Sequence, residues 1–221
     1  MPSIREFKRT ADRWGLFRSL WAALMNRISP WIMLCQVQTR RNAAREDTSV
    51  SAGSLRIGLA TRDDLNRAVA DMPEQLDADF VESALARGDI CAAAFDDSRM
   101  VSFQWASFTT ARVNDRLSVK FTEPFRYGYK GFTDSAYRGR RIAREVMLFC
   151  DSECLACGYT HTIVYVETHN YASRANLKRL GNRCVGYAGF ITVGSRCYPF
   201  RTPGVKRRGF GFHGMRKAEL G

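Results

Sequence analysis

The run Tyr137-Arg138-Gly139-Arg140-Arg141 has residue types that could bind an anion through both side chains and backbone. The residues after it have the apolar spacing of a helix, so the run is predicted to form the turn at which that helix begins. The first amides of a helix have no acceptor inside it, and the helix dipole favours negative charge at that end. With three arginines beside those amides, the run predicts a diphosphate site.

A second group of reactive side chains occurs in Val166-Glu167-Thr168-His169-Asn170-Tyr171-Ala172-Ser173. Asn170 is predicted to cap the helix that follows through its side chain. Glu167 and Asp134, and after them His169, are the candidates for a general base, because carboxylates and imidazoles accept protons from reacting groups. The alternative interpretation of each carboxylate is an ordinary solvated group at the end of a strand.

The spacing of apolar residues places both runs between the elements of a mixed α and β protein. Thr61 is predicted to cap the first helix of this region, with two aspartates in its first turn. The predicted strands span 55–60, 90–95, 100–108, 117–122, 127–133, 160–166, 185–193 and 196–200, and the predicted helices span 62–72, 74–87, 140–156 and 171–180.

This order of elements, together with the two runs, resembles the Gcn5-related N-acetyltransferase (GNAT) family across residues 55–200. Arg141 departs from the family pattern, because it stands where the family usually has glycine. The matching positions are Arg138, Gly139, Ile142 and Ala143 in the first run, Asn170 and Ser173 in the second, and the pair Leu180-Gly181 at the end of the helix that follows it.

The resemblance implies an α+β fold with a central, mostly antiparallel sheet flanked by helices. The chain is predicted to have three regions: an N-terminal amphipathic helical extension and linker over 1–50, the GNAT-like acyltransferase domain to which the resemblance applies over 51–202, and a basic C-terminal tail over 203–221.

The resemblance further implies acetyl-CoA or another acyl-CoA as co-substrate. The coenzyme-binding residues that it implies are Phe132, Thr133, Arg138, Gly139, Arg140, Arg141, Ile142, Ala143, Asn170 and Ser173.

In the resembled mechanism an amine attacks the thioester directly inside a ternary complex. The implied oxyanion donor is a backbone amide near Phe132–Thr133. The family's usual thiolate acid is a tyrosine at the position of Leu177, so Tyr171 is the substitute considered for that role. The catalytic candidates are therefore Glu167, Asp134 and Tyr171.

Residues 11–29 are predicted to form an amphipathic helix that ends or kinks at Pro30. One interpretation packs this helix on the following domain or on a second copy in a homodimer. The other lays residues 11–34 on an anionic membrane surface as a peripheral contact. The predicted apolar arc contains Trp14, Phe17, Leu20, Trp21, Leu24, Met25 and Ile28.

The net charge of +12 is uneven, because residues 51–100 hold five basic and ten acidic residues. This acidic segment suggests a site that attracts a cationic amine acceptor, although exposed helix faces explain the same residues. Seven scattered cysteines predict free thiols in a reducing, cytoplasmic compartment, and no secretory signal is expected.

No metal is expected, despite the spacing of Cys150, Cys154 and Cys157 before His161. The three cysteines share a helical face with Ala143, Val146 and Met147, which favours a role in the core.

Several functions remain open at this level. An acetyl-CoA-dependent N-acetyltransferase acting on a small-molecule or peptide amine is favoured. A related alternative resembles the N-acyl amino acid synthases and takes a longer acyl chain from acyl-CoA or from an acidic acyl carrier protein. The others are a non-catalytic coenzyme A binder and a nucleic-acid-binding module that uses Lys206, Arg207 and Arg208, for which no recognised motif is present.

Overall fold

The computed structural model describes residues 11–12, 15–29, 31–43, 55–114, 117–194 and 196–214. The chain divides into two compact units. The terminal unit comprises Met1–Thr39, Arg112–Thr122 and Tyr165–Gly221, and the central unit comprises Arg40–Ala111 and Glu123–Val164.

The described chain mixes helices and strands without a strict alternation. In order they are α1 (Leu16–Ile28), β1 (Ile32–Arg41), β2 (Arg56–Leu59), α2 (Arg62–Asp71), α3 (Ala78–Ala86), β3 (Ile90–Asp96), β4 (Arg99–Ser107), β5 (Ala111–Asn114), β6 (Leu117–Lys120), β7 (Phe125–Thr133), α4 (Ile142–Ala156), β8 (His161–Glu167), α5 (Tyr171–Arg179), β9 (Arg183–Val193), β10 (Arg196–Arg201), α6 (Pro203–Lys206) and β11 (Gly211–Gly214).

The central unit is built on strands in the order β2-β3-β4-β7-β8. The pairings from β2 to β7 are antiparallel, whereas β7 and β8 are parallel. The expected α+β architecture, with a mixed and mostly antiparallel sheet flanked by helices, is confirmed.

Helices cover both faces of the central sheet, so β3 is buried along its length. Alternate β3 side chains point to opposite faces. Phe95 joins a cluster with residues of α2 and α3, and Ala92 and Ala94 join a cluster with α4. Alanines on the α4 side leave room for that helix to pack closely, which positions its N-terminus.

A buried ionic network ties α4 to the sheet of the central unit. Asp151 is fully buried and accepts hydrogen bonds from Arg40 and Arg126. Burial, and then the charge of Arg126, lowers the pKa of Arg40 to about 9. A hydrogen bond with Cys154, and then the two guanidinium groups, lowers the pKa of Cys150 to about 6. A Cys150 thiolate would balance the second buried arginine.

The terminal unit contains the antiparallel strands β10-β9-β1 and a separate three-stranded sheet β11-β6-β5. Ile32 pairs with Ile191 at one end of the β1–β9 ladder, and Thr39 pairs with Arg183 at the other. Phe190 contacts Phe212 edge to face at 6.1 Å between ring centroids, which joins the two sheets of this unit.

The N-terminal region differs from the sequence expectation. A helical extension and linker were predicted over residues 1–50, yet Ile32–Arg41 of that range form the strand β1. Gln36 and Gln38 are buried and hydrogen-bonded to each other at 3.0 Å, so polar residues occupy sheet positions here. Residues 44–54 lie outside the described chain.

The C-terminal region predicted as a tail also contains regular structure, since α6 and β11 lie within it. The division at residues 50 and 202 stays a prediction. No helix in the described ranges is long and apolar enough to cross a membrane.

Candidate functional site

The predicted anion-binding run forms a turn between β7 and α4 in the central unit. Asp134 follows β7 and starts a single 3₁₀ turn by accepting a hydrogen bond from the amide of Ala136 at 2.9 Å. Arg99 donates to the other carboxylate oxygen of Asp134 at 2.8 Å. Both oxygens thus have partners that hold the turn, which disfavours Asp134 as a general base.

Two residues of this turn have left-handed backbone conformations. Gly139 has φ 83°, and Arg141, directly before α4, has φ 62° and ψ 8°. This conformation costs a residue with a side chain roughly 1–2 kcal/mol, and glycine almost nothing. The cost gives a physical reason for the glycine that the resembled family has at the position of Arg141.

The turn presents unsatisfied amides at the start of a helix. The backbone N–H groups of Gly139, Arg140, Arg141, Ile142 and Ala143 have no acceptor within the described chain. Because α4 has 15 residues, its dipole reinforces the partial positive charge of these amides. The arrangement suits a ligand with several anionic oxygens.

Arginine side chains surround the same amides. Arg138, Arg140 and Arg141 are all exposed. Arg138 donates from Nε to the carbonyl of Thr133 at 3.1 Å, which leaves its terminal nitrogens for a ligand, and the guanidinium of Arg140 lies 5.3 Å from the ring centroid of Tyr137. These positions create a cationic rim around the helix N-terminus.

A β-bulge on β7 precedes this turn. Phe132 pairs with Phe103 and Tyr129 with Trp105, so two β7 residues, Lys130 and Gly131, stand opposite one residue of β4. Lys130 has φ 45°. Bulges often re-aim a strand beside an active site. The sequence signal for this bulge is Gly131, a glycine inside a predicted strand.

The strand β7 also loses its parallel partner before the turn. The β7–β8 ladder runs from Phe125 opposite His161 to Tyr127 opposite Ile163. Beyond it, every second amide of β7 points away from β4 and has no β8 partner in that ladder. This stretch includes Phe132 and Thr133, where an oxyanion donor was expected.

The second predicted group lies in the terminal unit, at the start of α5. Asn170 caps α5, as its Oδ1 accepts a hydrogen bond from the amide of Ser173 at 3.1 Å. The capping role is therefore confirmed. Ser173 is exposed, so its hydroxyl is open to solvent or ligand.

Glu167 and His169 form a pair two residues apart. The Nε2 atom of His169 lies 3.0 Å from Oε2 of Glu167, and the other ring nitrogen, Nδ1, is buried without a partner in the described chain. Glu167 keeps a side-chain exposure of 36%. A half-exposed carboxylate next to an imidazole is a better candidate for proton transfer than Asp134.

Tyr171 is the first residue of α5 and is half-buried. Arg18 and Arg174 each lie 5.7 Å from the centroid of its ring. Leu177, at the position of the family's tyrosine, is also half-buried and offers no proton. Tyr171 is the tyrosine of this helix, and its role as the thiolate acid stays a prediction.

Two of the acidic residues predicted to attract an acceptor have structural roles. Asp64 forms a capping box with Thr61, and Asp77 caps α3 by accepting from the amide of Phe80 at 2.8 Å. Asp63, Glu74 and Asp79 are exposed in the same segment. Only exposed carboxylates of this segment are available to attract an amine.

A buried polar group was missed by the sequence analysis. The hydroxyl of Tyr129 donates to Asp89 at 2.6 Å, and Arg87 donates to the same carboxylate at 2.7 Å. Burial, and then the bond to Asp89, raises the pKa of Tyr129 well above its usual value. Tyr129 is therefore a hydrogen-bond donor rather than a base.

No group of three metal-binding side chains occurs among the residues that the structure describes. Cys150 and Cys154 are buried in the cluster beneath α4, which confirms their predicted core role. Cys157 is exposed instead, because it stands where the helix ends.

Comparison with known proteins reveals the fold. No protein-family model matches the chain, and no curated protein matches it. A GNAT-family acetyltransferase from Novosphingobium aromaticivorans matches with a TM-score of 0.51 and 12% identity, across 82% of this chain. The match spans 64% of the length of that protein. At this identity the likeness establishes the fold alone.

Two further solved structures are less similar. A GCN5-related N-acetyltransferase from Kribbella flavida matches 86% of this chain and 64% of its own, with 10% identity and a TM-score of 0.48. Glucosamine-6-phosphate N-acetyltransferase from Arabidopsis thaliana matches 58% of this chain and 90% of its own, with 12% identity and a TM-score of 0.43.

Proposed function

We propose that this chain, which has the fold of the GNAT acetyltransferases, transfers an acyl group from an acyl-CoA, most simply acetyl-CoA, to an amine. The five partnerless amides from Gly139 to Ala143, at the N-terminus of α4, are the observation that carries this assignment.

Coenzyme A is bound through its diphosphate at that turn. The amides satisfy phosphate oxygens, and Arg138, Arg140 and Arg141 neutralise the charge. In this assignment the guanidinium of Arg141 adds a contact that glycine could not make, which offsets the cost of its left-handed backbone.

The reaction joins the amine nitrogen to the thioester carbonyl carbon, breaks the carbon–sulfur bond and releases coenzyme A as a thiolate that takes up a proton. Negative charge develops on the carbonyl oxygen in the transition state. A backbone N–H of β7 near Phe132–Thr133, beyond the bulge, serves as its donor.

We assign proton removal from the ammonium to Glu167, with His169 as its hydrogen-bond partner. Attack requires a neutral amine, so a base must accept this proton before or during bond formation. Tyr171 is the proposed donor to the thiolate, in place of the tyrosine that Leu177 replaces.

Ligand binding tests the assignment without knowledge of the acceptor. Thermal unfolding is measured with coenzyme A, acetyl-CoA and acyl-CoAs of longer chain, since a ligand that binds only the folded state raises the unfolding temperature. We expect coenzyme A to stabilise the protein and the preferred acyl form to stabilise it further. The absence of stabilisation by any form contradicts the proposed function.

A matched pair of variants locates the site. Replacing Arg140 and Arg141 by Gln removes two charges beside the amides, and the Kd for coenzyme A is expected to rise about tenfold to a hundredfold. The control replaces Arg62 and Arg67 by Gln on α2 of the same unit, which removes the same charge. Equal weakening in both variants contradicts a diphosphate site at this turn.

The base is tested by Glu167→Gln once an acceptor amine is found. We expect kcat/KM to fall about a hundredfold or more with the Kd for coenzyme A unchanged. Glu153→Gln, a half-buried residue on α4, is the control for removing a carboxylate. If the pH dependence of kcat/KM is unchanged in Glu167→Gln, a residue other than Glu167 is the base.

A further inference from the structure

The helix α1 turns its apolar side outward. Phe17 is 82% exposed, and Leu20, Trp21 and Leu24, at helical spacing from it, are exposed as well. Ser19 and Met25 are the buried residues of α1. Packing on the following domain was one of the two interpretations of this helix, but the described part of the chain leaves most of the predicted apolar arc uncovered.

A second apolar surface lies on the terminal sheet. Ile32, Ile191 and Tyr198 are neighbours across β1, β9 and β10, and all three side chains are exposed. Val193, 63% exposed, and Phe200 extend this row on the same face. Side chains of the opposite face, such as Ala188 and Phe190, are buried.

Contacts within the terminal unit place α1 and this sheet face on the same side. Tyr187 and Gln36 lie on the same sheet face as Ile191 and Ile32, and their polar groups are 3.5 Å apart. Arg174 of α5 donates to the same Gln36 at 3.2 Å, so α5 lies on that side. Arg18 of α1 stacks over Tyr171 of α5, which puts α1 beside α5. The apolar helix and the apolar sheet face therefore form one docking surface.

The terminal unit is strongly cationic. It holds 20 Lys and Arg against 5 Asp and Glu, a net charge of +15, whereas the central unit holds 14 against 17, a net charge of −3. Residues 13–45 and 168–218 contain no acidic residue. Arg27 of α1 is exposed, and so is Arg196, which pairs with Val193 across β9 and β10.

We propose that this docking surface binds the face of a lipid bilayer that contains anionic lipids. Exposed Phe, Trp and Leu side chains gain free energy by entering the interface, and arginines around them attract anionic headgroups. A second copy is disfavoured as occupant because two units of +15 repel each other. An acidic protein or a nucleic acid would match the charge but not the breadth of apolar surface.

Vesicle binding tests this proposal. The protein is sedimented with phosphatidylcholine vesicles that contain or lack phosphatidylglycerol. We expect binding only to the anionic vesicles, weakened by added salt because screening reduces the headgroup attraction. The variant F17S/L20S is expected to bind the anionic vesicles with an affinity at least about tenfold lower than that of the parent chain. The sheet variant V193S/Y198S is expected to show a similar loss.

The control is Leu59→Ser, an exposed apolar residue of the central unit, and it should bind vesicles like the parent chain. Unfolding temperatures of all variants are compared, because loss of exposed side chains should leave the fold intact. Equal binding by F17S/L20S and the parent, or no binding to anionic vesicles, overturns the proposal. A dimer in sedimentation velocity that F17S/L20S abolishes also overturns it, and assigns the surface to a second copy. None of these results depends on acyl transfer.

Discussion

At Arg141 the chain combines a long charged side chain with a left-handed backbone, directly before α4. Such strain is retained when the surrounding structure determines the conformation, and it concentrates at functional sites. We therefore expect the arginine at this position to lower the free energy of unfolding and to strengthen ligand binding. The two properties are measured separately.

Arg141→Gly is expected to raise the free energy of unfolding by about 1 kcal/mol, because glycine adopts this conformation without steric cost. Chemical denaturation measures the change. Arg140→Gly is the control. Arg140 is not among the residues with positive φ, so glycine at this position should destabilise the protein. If both substitutions destabilise the protein equally, the strain at Arg141 is refuted.

A second prediction at this scale concerns Cys150, whose pKa is lowered to about 6. A group whose pKa is depressed by folding contributes stability above its unfolded pKa, and this stability is lost as pH falls through the folded value. The destabilisation by Cys150→Ser should therefore grow from about pH 6 to pH 9. Denaturation of both proteins across this range measures it. Burial raises the pKa of the Cys91 thiol, so the destabilisation by Cys91→Ser should not increase with pH across this range.

At the scale of elements, the start of α2 depends on a reciprocal cap. The Thr61 hydroxyl accepts from the amide of Asp64 at 3.1 Å, and the Asp64 carboxylate accepts from the amide of Thr61 at 3.0 Å. Burial alone would raise the pKa of Asp64, but the bonds from Thr61 and Arg67 outweigh it and lower the pKa.

Thr61→Ala is expected to reduce the free energy of unfolding by about 1 kcal/mol, the usual effect of losing an N-cap. Ser98→Ala, in the exposed turn between β3 and β4, should change it by less than about 0.5 kcal/mol.

Because the pKa of Asp64 is lowered, the contribution of its carboxylate to stability is complete above the unfolded pKa of about 4 and is lost as pH falls through the folded value. A difference between Asp64→Asn and the parent that persists at the lowest pH would contradict this role of the charge.

On the scale of the whole molecule, charge is divided between the units. The net charge is +15 in the terminal unit and −3 in the central unit. Such a division suits two charged partners of opposite sign, and the exposed acids of α2, α3 and their connection are the candidates for attracting a cationic amine.

Glu74→Lys is expected to raise KM for a cationic amine several-fold with kcat unchanged, because Glu74 is exposed and makes no helix cap. The effect should shrink as salt is added. Glu123→Lys, an equal charge change at an exposed position before β7, is the control. Equal KM values in the two variants would show that the acidic segment around Glu74 does not attract the acceptor.

The amino-acid sequence by itself determined the elements from β2 to β10 with few exceptions, because apolar periodicity, Thr61, Asn170 and the glycines act within a few residues along the chain. It also predicted a turn with unsatisfied amides before α4, since the first amides of a helix lack acceptors inside that helix wherever it lies. The competing roles of Asp134 and Glu167 could not be separated at that level.

Only the tertiary structure decided the features that depend on distant residues. The strand β1 exists through its pairing with β9, and its own polar residues do not predict it. The carboxylate of Asp134 accepts a hydrogen bond from Arg99, which lies 35 positions earlier in the chain. Helical periodicity revealed that α1 has an apolar side, but whether that side is covered depends on which surfaces the rest of the chain brings to it.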